Sequence, residues 1–229
     1  MSLRSAVAHR NLLYLLSLKE LRTRYKKSIL GWTWSLLNPL TQMLIFSISV
    51  GSSMGAVQGG AGLIKKVQFP HEHLVFSVVV AQFVTMLIEF LVLTTALLIA
   101  GNMVLPWIPV LLIILMLLAM FTTGVALALS AANVFFHDIN YLWTIVSQLL
   151  FYATPIIYDA NNPNIPRLLQ LIAAHGPTGS FITAVRDVMY NLRMPSALDF
   201  LILSVYAGIA FTLGNWVFSR LSPRFAEEM

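Results

Sequence analysis

Cysteine is absent from the 229 residues, which excludes disulfides, thiol nucleophiles and thiolate metal sites. Charge is scarce too. Asp, Glu, Lys and Arg make up 10% of the chain against 58% hydrophobic residues, and the mean hydropathy is +0.81. A soluble domain carries about 25% charged residues, so this composition belongs in a bilayer. No Gly-x-x-x-x-Gly-Lys-Ser/Thr phosphate loop occurs, and without one the chain has no ATP-hydrolysing motif of that kind. Paired carboxylates, a Ser-His-Asp set and a metal cluster are missing as well. His71 and His73 flank Glu72 without further ligands to complete a site. The surplus of +5 matters through its placement rather than as a nucleic-acid surface, because seven of the fourteen Lys and Arg residues precede position 28. Such a cluster keeps its end of the chain in the cytoplasm.

A spanning helix needs about 20 mainly apolar residues. Runs of that kind occupy 33–50, 74–100, 107–133, 140–158 and 197–219, which predicts an all-α polytopic bundle in one domain. The first run follows a charged stretch and lacks a small-residue cleavage site, so it is no removable signal peptide. Arg220 and Arg224 place the C-terminus inside by the same charge rule, with the loop FFHDIN and the pair Lys65-Lys66 on that side. Both termini are then cytoplasmic, yet five spans allow only one of them to be. GSSMGAVQGGAGLI, residues 51–64 with five glycines, would reach only about 21 Å as a helix, short of the hydrocarbon core of about 30 Å. A span missing between about Val50 and Gly55, a first segment re-entrant at Asn38-Pro39, or an outside N-terminus would each restore parity; the last sets the basic cluster on the wrong side. Gly51, Gly55 and Gly59 also have the spacing of close helix packing.

RYKKSILGWTWSLLNPL at 24–40, preceded by LKELRT and followed by LIKKVQFP at 63–70 and NVFFHDINYL at 133–142, resembles the membrane subunit of ABC type-2 exporters. Within that family it is most similar to the branch exporting lipid-linked polysaccharides such as O-antigen and teichoic acid. The resemblance covers nearly the whole chain in order. It implies six spans, a homodimeric channel, and two copies of a separate cytoplasmic ATP-binding subunit that uses ATP and Mg, with no cofactor bound by this chain. It also implies a bacterial inner-membrane location, and it makes the missing span the preferred account, since the family's second span lies where GSSMGAVQGGAG stands here. An exporter of a drug or simple lipid, and a membrane transferase acting on a lipid carrier, remain as alternatives; the second should gather acidic or histidine residues at one face, whereas Glu89, His137 and Asp138 are scattered in depth.

On these readings the chain divides into a cytoplasmic interfacial helix (1–30), a first span (31–50), a coupling loop (63–73), three spans (74–158), an external hairpin (159–196), a last span (197–219) and a tail (220–229). Tyr14, Leu18, Leu21 and Tyr25 fall on one helical stripe, with Lys19, Arg22, Arg24, Lys26 and Lys27 off it, so this helix should lie along anionic headgroups. The coupling candidates are Lys65, Lys66, Phe69, Pro70, His71 and Glu72. Pro70 separates the following helix from what precedes it, and in the resembling family the matching segment seats in a cleft of the ATPase. Glu89 in mid-span costs at least about 2–3 kcal/mol if ionised against lipid, so it should face protein or water; a structural hydrogen bond and a place on the translocation path both satisfy that. The family often has an acidic residue followed by Phe here. Its usual arginine is His137 in this chain, which leaves no fixed charge there, and Asp138 is placed to cap the next helix. Ser147, Gln148, Phe151 and Tyr152 are the other path candidates, because Ser147, Gln148 and Thr154 make their span unusually polar. Trp32, Trp34, Trp107, Trp143, Phe151, Tyr152, Tyr158 and Trp216 lie near span ends as an interfacial belt would. Two short runs, 166–174 and 180–191, predict the hairpin, with Arg167, Pro177, Arg186 and Asp187 at the external gate; Arg186 and Asp187 read first as a solvated surface pair, with contact to a phosphate or sugar at the exit as the alternative.

Overall fold

In the computed structural model the described residues are 33–60, 62, 70–154 and 176–228, and their regular structure is entirely helical. The interfacial residues Arg22, Arg24, Tyr25, Lys26 and Lys27, the loop residues Lys65, Lys66 and Phe69, and the first hairpin run with Arg167 lie outside them. Helix α1 covers Thr33–Gly59, α2 Glu72–Ile99, α3 Ile108–Phe135, α4 Ile139–Ala153, α5 Pro177–Met189 and α6 Ala197–Leu221. Three helical segments are long and apolar enough to cross a membrane: α2, α3 with the turn Leu105–Trp107 before it, and α6 with the turn Ser222–Arg224 after it. The polytopic all-α bundle expected from composition is therefore the fold observed.

Each boundary has a local cause. Helix α2 stops where Gly101 takes a φ of 87°, open to glycine because it lacks a Cβ. Proline fills the first turn of α5, where its missing N–H removes no bond. Ser196 and Asp199 form a reciprocal capping box at the start of α6, which satisfies two otherwise orphaned amides. At α4 the expectation fails. Asp138 occupies the N-cap position but makes no side-chain cap bond, because its backbone is already helical and does not aim the carboxylate at the first amides. The Asn140 amide instead donates to Asn133 Oδ1 at 3.2 Å, so the preceding helix caps the following one.

Helix α1 corrects the reading of the first crossing. It runs unbroken through Asn38 and Pro39 and past Gly51 to Gly59, so the chain does not turn back at Asn38-Pro39. Gly51 sits inside the helix, its open side toward Trp143, instead of at a membrane face. Twenty-seven residues span about 40 Å. Its C-terminal end lies beside the start of α2, where Gly60 approaches Leu74, and beside the end of α3, where Gln58 Nε2 donates to the Asn133 carbonyl at 3.2 Å. His71, Phe135 and Phe225 meet at that same end. At the other end Asn102, after α2, donates to the Met189 carbonyl of α5 at 3.3 Å. The start of α1 and the finish of α6 thus lie at opposite ends of the bundle, the odd parity that the charge pattern exposed.

Helix α3 is central, buried over more of its surface than α2 or α6. Its tightest neighbour is α6: a Cβ on Gly124 would run into the backbone of Ala210 and Phe211, and one on Gly214 would reach Gly124 Cα at 2.8 Å. Small residues admit this approach, which is how helices associate where lipid removes the hydrophobic drive between them. An aromatic cluster joins α1, α3, α4 and α5. Phe46 of α1 stacks on Phe121 of α3 at 5.7 Å and meets Trp143 of α4 edge-on at 5.5 Å, and Phe121 contacts Phe181 of α5 at 5.7 Å.

Candidate functional site

At the end shared by α2, α3 and α6, the coupling candidates within reach are Pro70, His71 and Glu72. Pro70 is exposed and His71 and Glu72 are half-buried. The α2 amides His73 N and Leu74 N close tight turns onto the Pro70 and His71 carbonyls at 3.1 and 3.2 Å, and Glu72 in the first turn suits the positive end of the helix dipole. The proline break expected from the sequence therefore falls directly ahead of α2. The tail expected at 220–229 is not loose: it turns through Ser222–Arg224 and buries Phe225 completely.

The path candidates lie on two helices that do not pack closely on each other; each packs on α1. Glu89 is exposed on α2, beside exposed Ile88 and Leu91, while Phe90 turns inward. It does not face the interior of this chain. On α4, Asn140, Thr144 and Gln148 recur every fourth residue and are all exposed, and Ser147 is half-buried with its hydroxyl donating to the Thr144 carbonyl at 3.0 Å. Phe151 is half-buried, Tyr152 is exposed, and their rings meet edge-on at 5.5 Å. The carboxylate on the outer surface of α2, a helix long and apolar enough to span, needs water or a second protein surface, because hydrocarbon offers no partner, and the polar stripe of α4 is exposed in the same way.

Trp143 departs from the belt reading. It is buried against Phe46, and its indole N–H donates to the Ser47 carbonyl at 3.1 Å. Trp216 keeps the belt pattern, exposed with the Arg220 guanidinium 5.3 Å from its ring centroid. At the far end Pro177 starts α5, and Arg186 is half-buried in its last turn, where a cation suits the helix dipole. Asp187 accepts from Asn191 Nδ2 at 2.7 Å and its carbonyl accepts from the Arg193 amide. Helix α5 is no surface appendage: Phe181, Ile182, Val185 and Val188 are buried against the bundle.

Sequence reasoning missed Gln42. It is buried on α1 at 3% exposure with neither amide nitrogen nor oxygen bonded, and it lines two small voids, one toward Phe83 and Thr122 and one toward Thr178 and Phe181. Nothing in the run Leu40 to Phe46 marks that glutamine as inward-facing, since its neighbours on every side are apolar or small.

No protein-family model matches the chain. Among curated proteins, it is 26% identical to the O-antigen export system permease protein RfbA of Myxococcus xanthus, with 99% of this chain and 98% of the relative aligned. A protein of the same name from Klebsiella pneumoniae is 28% identical, with 95% of this chain and 94% of the relative aligned. The first alignment is 259 residues long against 229 in this chain, so the relative carries residues that this chain lacks. The likeness runs end to end, and the chain is similar along nearly its whole length to permease proteins of O-antigen export systems, in keeping with its bundle of apolar helices.

Proposed function

We propose that the chain is the membrane channel subunit of an ATP-driven exporter that moves a lipid-linked, O-antigen-type polysaccharide across the cytoplasmic membrane. The end-to-end likeness to O-antigen export permeases carries this reading. Two copies form the channel, and two copies of a cytoplasmic ATP-binding subunit supply the hydrolysis for which this chain has no phosphate loop. The end holding Pro70, His71, the loop at 136–138, Arg220 and Arg224 is cytoplasmic, in keeping with the clustering of basic residues. The end holding Pro177, Arg186 and Asp187 is external and gates the exit. The exposed Glu89 and the polar face of α4 support a surface turned to water or to the second copy, where glycan hydroxyls would find hydrogen-bonding partners and Phe151 and Tyr152 would offer rings for sugars to stack on. A sixth crossing, inserted between about Val50 and Gly55, would bring the N-terminal basic residues to the cytoplasmic side, and the extra length of the relative supports it.

Residues 63–73 make the contact with the ATPase, Phe69 as the apolar anchor and Lys65, Lys66 and Glu72 as the charged rim. Phe69→Ala should weaken ATPase binding by about 2 kcal/mol, the scale of a buried interface anchor, without loss of membrane insertion. Co-purification of the two subunits from detergent, alongside export of a labelled lipid-linked oligosaccharide from proteoliposomes, tests both claims. Undiminished assembly and export in Phe69→Ala would remove the loop from the coupling role, and failure to export any lipid-linked glycan while a simple lipid is moved would overturn the substrate class.

A further inference from the structure

Past α6 come Ser222, Arg224 and two glutamates, yet one ring among them is held by three separate elements. Phe225 is fully buried. Phe218 of α6 meets it edge-on at 5.4 Å, Phe135 at the last position of α3 lies 6.2 Å away, and the His71 imidazole, just ahead of α2, stacks on it at 6.0 Å. Among its neighbours along the chain, Ser222, Arg224, Glu227 and Glu228 are polar or charged, and none of these would bring the tail back to the bundle by an apolar drive. The ring does so. The turn Ser222–Arg224, with Pro223 restricting its backbone, sets the distance at which Phe225 re-enters.

We infer that Phe225 is a positioning residue that ties the ATPase-coupling segment to the helices it must move. The inference rests on the coupling role assigned above to residues 63–73. A push delivered to an exposed turn at Pro70 could be absorbed by backbone rotation before it reached the bundle. With His71 stacked on a ring that also touches α3 and α6, the displacement meets close-packed side chains, which transmit strain instead of absorbing it. Helices α3 and α6 are themselves locked at Gly124 and Gly214, so they would receive the motion as one unit. The C-terminal turn is on this account a working part of the transmission, although it lies outside the segment that contacts the ATPase.

The test is hydrogen–deuterium exchange on the assembled transporter with and without a non-hydrolysable ATP analogue. In the parental complex the nucleotide should change exchange at 70–75, at 130–135 and at 214–221 together. In Phe225→Leu, which keeps an apolar side chain in the pocket but removes the ring on which His71 stacks, the change at 70–75 should persist while the response of the other two regions falls about tenfold, within the usual range of inter-site coupling. Phe225→Ala should behave alike and Phe225→Tyr should restore most of the response; should Phe225→Ala fail to accumulate in the membrane, Phe225→Leu alone decides. An undiminished response at 130–135 and 214–221 in Phe225→Leu would overturn the tie and leave the coupling loop standing. The absence of any nucleotide response at 70–75 in the parental complex would instead remove the coupling role, and the tie with it.

Discussion

The crossing of α3 and α6 gives the most exacting test of the packing, through Gly124→Ala. The new methyl carbon would run into the backbone of Ala210 and Phe211 on α6, and backbone, unlike the end of a flexible side chain, cannot swing aside. Ordinary carbon contacts settle at about 3.5–4.0 Å, so the two helices must part by about 1–2 Å, and a gap of even 1 Å forfeits up to about half of the dispersion energy along the seam. Overpacking of this kind costs about 1–3 kcal/mol. The upper end is expected here, because the obstruction is rigid and lies on the central helix, and the gain of about 0.5–1 kcal/mol from replacing a helical glycine offsets only part of it. Gly55→Ala is the control: a Cβ there meets nothing within 4 Å, so only the propensity gain remains and stability should hold or rise. Because Gly214 faces Gly124, the double variant Gly124→Ala/Gly214→Ala should cost less than the sum of the singles, as residues sharing one contact are not additive. Thermal unfolding in detergent, followed by the loss of monodisperse protein on size-exclusion chromatography, reads all three. Gly124→Ala melting at or above the parental temperature would refute the crossing.

Gln42→Met keeps the volume of the side chain and removes an amide that is buried without a partner; relieving that desolvation should stabilise the detergent-solubilised protein by about 1–3 kcal/mol, and an unchanged melting temperature would mean that the amide has a partner in solution. Trp143→Phe retains the ring against Phe46 but deletes the N–H bond to the Ser47 carbonyl, which should cost about 1 kcal/mol from the bond, read in the same assay; no loss would return Trp143 to the membrane interface. Glu89→Leu should leave folding and expression intact, since the side chain is exposed on its own chain, while lowering export from proteoliposomes; parental export would take Glu89 off the path.

The bilayer as solvent makes much of this protein readable from composition alone. Every backbone amide in hydrocarbon must be satisfied within its own segment, so an apolar run of sufficient length can only be a helix, and 74–100, 107–133 and 197–219 match α2, α3 and α6 to within a turn. Proline at 70 acts on the chain locally, and its break ahead of α2 was legible because it needs no tertiary partner. What depends on facing was not. Helices α2 and α6 are apolar around most of their circumference, so no periodicity says which side meets protein; Glu89 stands outward on α2, Trp143 inward on α4 and Gln42 inward on α1 for reasons that lie in neighbouring helices. The cap on α4 comes from Asn133 and not from Asp138 because two helix ends meet in space. Charge placement asked for an even number of crossings against five apolar runs, but only the packing of Gly60 on Leu74 and of Gln58 on Asn133 located the end at which α1 finishes. Residues far apart in sequence, such as His71, Phe135 and Phe225, become one cluster only once the bundle closes, since ring contacts depend on distance in space and leave no trace in spacing along the chain.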